Sequence, residues 1–380
     1  MQSFIERLTE QKNQHLWRER LCVDERIQAN WQCTHEQYLS FINNDYLGLA
    51  THPQVIAALQ TAATQYGVGS SASPLLGGYH KIHQQLEQDI ADLIGFERAL
   101  VFSTGYLANL AVIQTFIGKQ DTVFEHRLNH ASLIDATRTT GATIKRFHQL
   151  EQLEKQLSQS TTKKKWIISD AVFSMDGWIA PIPEYIQLAK KYQAYIILDD
   201  AHAVGVLGAN GSGSIAHHNV ATSDITLLTG TFGKAFGGQG AFVLGHATMI
   251  EYLVQFARSY RYSTALAPAL AAANRQSIQI IRTENNHLTH LHELIAFFTQ
   301  LAQTKKINFQ PSPTPIQVLL LQDPKKTLEV MQQLKKQGIL VGAIRPPTVA
   351  VNSSRLRINL STLHSKKDII RLFDALQAIL

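Results

Sequence analysis

The chain has 380 residues, of which 45% are hydrophobic and 17% charged, and its formal net charge is +6 at pH 7. This length exceeds one typical domain, so we expect a large domain and a smaller one. Its apolar stretches are far shorter than the ~20 residues that span a bilayer. Two cysteines, Cys22 and Cys33, are too few for a disulfide scaffold, and no secretory signal opens the sequence. A cytoplasmic protein without membrane contact is expected.

The positive charge is spread along the chain. Lysines occur mostly as scattered pairs, with one triplet at 163–165, and no long basic run contains interleaved aromatic residues. Nucleic-acid binding is therefore not expected, and a basic binding protein without catalysis remains a weak alternative. A diffuse positive field would favour acidic ligands such as acyl thioester carriers.

Short apolar runs alternate with helical patterns in the first three quarters of the chain. Residues 83–94 place four aliphatic side chains on one helical face. Five runs predict buried strands and a further segment predicts a helix: strands at 99–102, 166–169, 195–198, 225–229 and 241–244, and a helix at 182–192. This alternation predicts an α/β domain with a mainly parallel central sheet.

The pattern changes near residue 285. A helix is predicted at 287–303, and three prolines then interrupt the chain between 311 and 315. The elements predicted after them are a strand at 316–321, a helix at 327–337, a strand ending near 344, an alternating strand at 355–360 and a final amphipathic helix. The alternating strand should be half-buried, with Arg355 and Arg357 on its polar face. We expect an arm at 1–45 that packs with a small α+β domain at 286–380, and a large domain at 46–285.

Lys234 is the most informative residue. It lies among glycines in the segment 229–240, directly after an apolar run. Glycines permit close approach of a ligand, and an amine kept dry or near other cations becomes nucleophilic. An ordinary surface lysine is the alternative. Together with Asp199, which follows the strand predicted at 195–198, this amine indicates a pyridoxal phosphate enzyme. In such enzymes a lysine forms the Schiff base and a carboxylate holds the pyridine nitrogen protonated.

Two other positions lie near predicted strand ends on the same side of the sheet. Gly105 and Tyr106 begin a helical pattern after the strand at 99–102, and the amides of a helix start bind phosphate. As a bare glycine turn this is a weak signal. His202, three residues after Asp199, would donate to the phenolic oxygen of the cofactor, although a capping histidine is the alternative.

His130 and Ser174 are two further candidate site residues indicated by the sequence pattern. The imidazole of His130 would stack on the cofactor ring and donate to a substrate carboxylate, whereas a histidine near a helix start is the alternative. Ser174 follows a strand and would support the phenolic oxygen or form a simple turn. No metal site is expected.

Four motifs then appear in a fixed order. They are Asn-Asp-Tyr-Leu-Gly at 44–48, Phe-Ser-Met-Asp-Gly at 173–177, Asp-Asp-Ala-His at 199–202 and Thr-Phe-Gly-Lys at 231–234. Together they resemble the α-oxoamine synthases, which are fold-type I pyridoxal phosphate enzymes, over nearly the whole chain. The resemblance implies a mainly parallel sheet flanked by helices, a smaller C-terminal α+β domain and a homodimer with its active site at the subunit interface.

The resemblance also assigns roles by position. Lys234 is the Schiff-base lysine and base, Asp199 the pyridine partner and His130 the stacking residue. The other implied contacts are His202 and Ser174 with the phenolic oxygen, Gly105, Tyr106 and Thr231 with the phosphate region, Thr264 with the phosphate of the neighbouring subunit, Arg18 and Thr348 with the acyl substrate, and Arg357 with the amino-acid carboxylate.

Within the family, the segment 343–349 (Ala-Ile-Arg-Pro-Pro-Thr-Val) is similar to the branch that condenses L-alanine with a pimeloyl thioester in biotin biosynthesis. The acyl donor would be pimeloyl-CoA or a pimeloyl-carrier protein, and the sequence leaves that choice open. Glycine C-acetyltransferase, which uses glycine and acetyl-CoA, is the alternative.

One loop departs from the family pattern, since Gly-Ser-Ser-Ala-Ser-Pro stands at 69–74 where members often read Gly-Ser-Gly-Gly-Ser-Arg.

Overall fold

A computed structural model describes residues 1–380. Its strands, in chain order, are β1 (Glu25–Ile27), β2 (Asn30–Cys33), β3 (Glu36–Ser40), β4 (Arg98–Phe102), β5 (Thr122–His126), β6 (Thr143–Phe147), β7 (Lys165–Asp170), β8 (Tyr195–Asp199), β9 (Leu227–Thr231), β10 (Ala241–Gly245), β11 (Phe309–Gln310), β12 (Ile316–Gln322), β13 (Ile339–Leu340), β14 (Gly342–Ile344) and β15 (Ser354–Asn359).

The helices are α1 (Gln2–Asn13), α2 (Pro53–Tyr66), α3 (Lys81–Ile94), α4 (Gly105–Phe116), α5 (Ala131–Thr139), α6 (Leu150–Ser158), α7 (Ile182–Tyr192), α8 (Ser214–His217), α9 (Ala247–Phe256), α10 (Arg258–Arg261), α11 (Pro268–Thr283), α12 (Asn286–Thr304), α13 (Pro324–Lys336) and α14 (Lys366–Ile379). Short 3₁₀ helices lie at Leu49–Thr51, Pro74–Leu76, Ala209–Gly211 and Thr222–Asp224. None of these helices combines the length and the apolar character needed to cross a membrane.

The chain forms two compact units. The first contains residues 1–48, 175–178 and 289–380, and the second contains residues 49–174 and 179–288. The sequence predicts domain boundaries at 45 and 285. It does not predict that residues 175–178 belong to the first unit. Each unit therefore has its own sheets and core.

A seven-stranded sheet forms the centre of the second unit, in the order β4-β10-β9-β8-β7-β5-β6. Only β10 runs antiparallel to its neighbours, so the expected mainly parallel sheet is confirmed. All five strands predicted from apolar runs lie in it, although the run at 225–229 begins its strand two residues later, at Leu227. The sequence does not predict β5 and β6, and β6 is largely solvent-accessible.

The shared direction of four strands brings candidate site residues to one edge of the sheet. The strands β4, β7, β8 and β9 all run the same way, so their carboxyl ends lie at one edge of the sheet. In open α/β sheets this edge is where ligands bind. Asp170, Asp199 and Thr231 are the last residues of β7, β8 and β9, and Gly105 follows β4 by three residues.

Helix boundaries near this sheet have local causes. In α3 the buried residues Ile82, Leu86 and Ile90 recur every four positions and form one face, as the periodicity predicts. The helix ends at Gly95, whose φ of +88° is the left-handed conformation that glycine adopts without strain. At the start of α4, the Thr104 side chain accepts a hydrogen bond from the backbone N–H of Leu107 and caps the helix.

Two four-stranded sheets, β1-β2-β3-β13 and β11-β12-β15-β14, belong to the first unit. The strand β13 pairs parallel with β3, and Ile339 lies opposite Leu39 in that pairing. Strands from the two ends of the chain therefore complete one sheet. Trp31, Tyr38 and Leu340 form its small apolar cluster, together with Cys33.

The expectation of a half-buried strand near the C-terminus is wrong. All six residues of β15 are buried, and Arg355 and Arg357 expose only 7% and 8% of their surface. Buried charges need polar partners. Arg355 forms an ion pair with Asp176, and Arg357 donates from Nη2 to Oδ1 of Asn44 over 3.2 Å. The face that alternation assigns to solvent is thus covered by these partners.

Candidate active site

The loop between β9 and β10 holds Lys234 in a tight turn. The backbone N–H of Gly237 donates to the carbonyl of Lys234 over 2.8 Å. Gly237 has a φ of +66°, and a Cβ added to it would lie 2.2 Å from the backbone nitrogen of Ala50. Glycine is required at this position, because any side chain would collide with backbone. The turn leaves the lysine half-buried.

Asp199 ends β8 with 8% of its surface exposed. Its Oδ2 accepts a hydrogen bond from Nδ2 of Asn109 at 2.7 Å, and its Oδ1 accepts one from the backbone N–H of Ala201 at 3.0 Å. Both carboxylate oxygens therefore have fixed donors, which set the orientation of the group.

The charges of Lys234 and Asp199 both shift the pKa values of His130 and Asp170. Desolvation lowers the pKa of His130, while Asp199 raises it and Lys234 lowers it further. Desolvation also raises the pKa of Asp170 well above its usual range, with Asp199 raising it and Lys234 lowering it. Charges shift a pKa in this way only at short range. The amine and the carboxylate thus lie in one site.

The imidazole of His130 is held in one tautomer. Its Nδ1 caps α5 by accepting from the backbone N–H of Ser132, and it lies 2.8 Å from the Ser132 hydroxyl. Because an amide can only donate, Nδ1 is the acceptor and the proton of the neutral ring is on Nε2. The backbone N–H of His130 donates to Oδ2 of Asp170 over 2.7 Å, which fixes the loop. Although its Nδ1 is part-buried against Ser132, the residue as a whole is solvent-exposed, so a planar ligand has access to it.

Asn109 connects these groups, and the sequence analysis missed it. This buried residue of α4 donates from Nδ2 to Asp199 and, over 2.8 Å, to the hydroxyl of Ser132. Its Oδ1 accepts from the Thr229 hydroxyl over 2.8 Å. A continuous path of hydrogen bonds thus runs from the Asp199 carboxylate to Nδ1 of His130. The available signal was an amide between alanine and leucine in a largely apolar helix, since a buried polar group needs partners.

The predicted phosphate region is also assembled. A Cβ on Gly105 would lie 3.9 Å from Cβ of Thr231, so the start of α4 lies beside the end of β9. The hydroxyl of Thr231 donates to the carbonyl of Gly240 over 2.9 Å and accepts from the N–H of Gly233 over 3.1 Å. The hydroxyl of Tyr106 donates to Asp135 over 2.6 Å.

Three further predicted contacts lie in the second unit. His202 is buried, at 7% exposure, and Ser174 is half-buried. Thr264 is exposed and precedes Ala265, whose N–H donates to the carbonyl of Ala72 over 3.1 Å. The loop that departs from the family pattern therefore lies against the segment that carries Thr264.

The predicted acyl-substrate residues meet in the first unit. Arg18 donates from Nη2 to the hydroxyl of Thr348 over 3.3 Å, and both residues are exposed. Arg345, which was not predicted, is 7% exposed and donates to the carbonyls of His15 and Trp17. It thereby fixes the segment that precedes Arg18. Desolvation and then the charge of Arg18 lower the pKa of Arg345.

The motif at 44–48 surrounds Arg357. Asn44 accepts from Arg357 through Oδ1, and the same oxygen accepts from Nδ2 of Asn359 over 3.2 Å. Tyr46 is fully buried, which raises its pKa to about 12 against the opposing effect of Arg357. The guanidinium is therefore held in place by polar groups of the motif at 44–48 and of β15.

The donor set of the second unit suits a phosphorylated aromatic aldehyde. It offers an amine for the aldehyde, a buried carboxylate for a ring nitrogen, an accessible imidazole for the ring face and a helix start for the phosphate. Each of these four groups is supplied by residues of this chain.

Comparison with known proteins agrees with this chemistry. Residues 36–376 match the family model described as aminotransferase class I and II. The 8-amino-7-oxononanoate synthase of Cellvibrio japonicus (strain Ueda107) is 43% identical over 381 residues, covering 100% of this chain and 96% of that protein.

Two solved structures agree as well. A serine palmitoyltransferase from S. paucimobilis with bound PLP and myriocin aligns at a TM-score of 0.94 and 26% identity, over 99% of this chain and 96% of that one. An 8-amino-7-oxononanoate synthase from Francisella tularensis aligns at a TM-score of 0.79 and 29% identity, over 90% and 97%.

The expected fold-type I architecture and the expected pyridoxal phosphate dependence are confirmed by these relatives. The resemblance to the α-oxoamine synthases is confirmed in the same way, down to the branch indicated by the segment at 343–349. This chain belongs to the class I and II aminotransferase family and, within it, to the 8-amino-7-oxononanoate synthases.

Proposed function

We propose that this chain catalyses, in the cytoplasm, the condensation of L-alanine with a pimeloyl thioester to give 8-amino-7-oxononanoate, CO2 and a free thiol, a step of biotin biosynthesis. The observation that carries the proposal is the hydrogen-bond path that joins the Asp199 carboxylate to the His130 imidazole, with the charge of Lys234 also acting on that imidazole. It supports an amine and a carboxylate working on one ligand, in a chain that is 43% identical to 8-amino-7-oxononanoate synthases over its length.

Pyridoxal phosphate would be held by residues of the second unit. Lys234 would attach to its aldehyde, Asp199 would face its ring nitrogen, and His130 would stack on the ring. The remaining contacts are His202 and Ser174 with the phenolic oxygen, and Gly105, Tyr106, Thr231 and the partner subunit's Thr264 with the phosphate. When bound, the cofactor supplies an electron-withdrawing ring that weakens the bonds at the α-carbon of the amino acid.

Other steps would be carried out by protein residues: binding the amino-acid carboxylate, transferring the α-proton and donating a hydrogen bond to the thioester. Arg357 would bind the carboxylate of L-alanine. The amine of Lys234, when it is not attached to the cofactor, would take the α-proton as the general base and later return a proton. His130 would donate its Nε2 proton in a hydrogen bond to the carbonyl of the thioester, since Ser132 keeps its Nδ1 as an acceptor.

The acyl substrate would be bound by residues of the first unit. Arg18 and Thr348 lie 3.3 Å apart and offer a cation and a hydroxyl to the pimeloyl group. The donor would be either pimeloyl-CoA or a pimeloyl-carrier protein, and the net charge of +6 favours both anionic carriers. A homodimer is proposed with this function.

The direct test measures thiol release with defined substrate pairs. L-alanine with pimeloyl-CoA should give thiol, CO2 and a product with the mass of 8-amino-7-oxononanoate, whereas glycine with acetyl-CoA should give little. A preference for the second pair would instead indicate a glycine C-acetyltransferase. A purified protein that is colourless and inactive with both pairs would contradict the proposal.

The Asn109 path leads to a prediction about positioning. Asn109→Leu keeps the volume but removes the donor to Asp199 and the donor to Ser132. Because the tautomer of His130 and the orientation of Asp199 are then no longer fixed, we expect kcat/KM to fall by ~10–10²-fold, the size of loss that follows a 1 Å misplacement. The acidic limb of the pH–rate profile should also shift.

Gln114→Leu is the matched control, because Gln114 is an exposed amide of the same helix that donates to Thr139. It should leave both the rate and the pH profile near those of the parent. If Asn109→Leu loses stability but keeps the parent pH profile and cofactor absorption spectrum, Asn109 has only a structural role.

A further inference from the structure

A second cluster of potential ligands lies outside the candidate active site. His52 immediately precedes α2, Glu284 follows α11, and His287 lies in the first turn of α12. All three belong to the second unit. One ligand atom from each residue lies within 4.8 Å of the other two, and Nε2 of His287 is 3.7 Å from Oε2 of Glu284.

These distances suit a bound transition metal. Zinc bonds of about 2.0–2.2 Å place two tetrahedral ligands ~3.3 Å apart. The three ligand atoms therefore need to close by about 1.5 Å or less, which side-chain rotations achieve. Two imidazoles with one carboxylate are typical of zinc, copper or nickel, whereas calcium and magnesium prefer oxygen ligands alone. All three residues are partly exposed, so an ion has access.

A simpler explanation accounts for only part of the cluster. His287 and Glu284 are three residues apart and would form an ordinary ion pair when the imidazole is charged. His52 meets His287 edge to face, with ring centroids 5.9 Å apart. However, Nδ1 of His52 is buried and has no hydrogen-bond partner in the protein. A buried polar atom of this kind calls for a partner, and an ion in the cluster would order the imidazole that carries it.

We propose that His52, Glu284 and His287 bind one divalent transition metal ion per chain, with zinc as the representative. The ion would join the start of α2 to the turn between α11 and α12, with water at the remaining coordination position. No metal site was expected from the sequence, because one of these three ligands, His52, is far from the other two in the chain. The site is separate from the residues assigned to catalysis and does not depend on the proposed reaction.

The test is zinc binding to the untagged holoenzyme by calorimetry, after treatment with a chelator. The parent should bind one equivalent through this site, and bound zinc should raise the melting temperature. His52→Gln and Glu284→Gln should each weaken that equivalent by more than ~10–100-fold, the loss usual when even an outer-shell metal contact is removed. X-ray absorption should find two nitrogen ligands and oxygen.

The controls separate coordination from folding. The side chain of His52 makes no capping hydrogen bond to α2, so His52→Gln should match the parent's melting temperature in the presence of chelator. His290→Asn removes an imidazole that is not part of the cluster and lies 4.0 Å from Glu293 on the same helix, and it should leave zinc binding intact. Equal zinc stoichiometry and affinity in the parent and in His52→Gln would overturn the proposal, as would a parent that binds no zinc.

Discussion

Lys234→Ala is expected to abolish turnover and to leave the protein without covalently bound cofactor. The substitution removes the amine that would attach to the cofactor aldehyde and also the base that would take the α-proton of L-alanine. A general base alone typically contributes ~10²–10⁴-fold, so the combined loss should exceed that range. Thiol release measures the rate, and mass spectrometry after borohydride reduction should locate the cofactor mass on Lys234 in the parent only.

Lys164→Ala provides the comparison for this variant. Lys164 is an exposed lysine between α6 and β7, and its loss should change neither the rate nor the borohydride product. If Lys234→Ala retains turnover, or if the cofactor mass is found on another lysine, the assignment of the reactive amine is wrong.

Asp199→Asn should cause the second largest loss. The amide keeps the shape of the side chain but lacks the negative charge that would hold a proton on the ring nitrogen. Removing one preorganised electrostatic partner from an active site costs about 10²–10³-fold in kcat, and we expect at least this loss here. The absorption spectrum of the bound cofactor should shift as well, because its ring would lose the charged neighbour.

Asp200→Asn is a close control for the charge. Asp200 is completely buried, its Oδ2 accepts from the backbone N–H of Ser214, and burial raises its pKa to about 7. An amide is therefore a near match for this partly protonated acid, and the rate should remain within a few-fold of the parent, as expected when no transition-state contact is lost. Equal losses in the two variants would show that the loss reflects damage to the strand end and not the charge at Asp199.

Five strands of the central sheet were predictable because they are continuous apolar runs. Buried parallel strands have hydrophobic side chains on both faces, which is the pattern at 195–198. The strand β6 escaped prediction because its outer position in the sheet leaves polar residues on it. The burial of β15 was also not predictable, since the partners that cover Arg355 and Arg357 come from residues 176 and 44, far away in the chain.

Part of the candidate site could also be predicted from the sequence, because some of its residues lie in recognisable local patterns. Lys234, Asp199 and His130 each lie at a turn whose local pattern marks it. Asn109 and Asp170 have no such mark, because their roles come from hydrogen bonds to residues that are distant in sequence. Arg345 likewise acts through the carbonyls of residues 15 and 17, some 330 positions earlier. Contacts of this kind become visible only in the folded chain.

The pairing of β3 with β13 constrains how the protein matures on the ribosome. About 300 residues separate Ser40 from Ile339, so at 5–20 residues per second the early strand waits roughly 15–60 s for its neighbour. The second unit, complete once residue 288 has emerged, is free to fold during that interval. Nascent chains halted before β13 should therefore carry an exposed strand edge at β3, and this is where a chaperone or an unwanted intermolecular contact would act first.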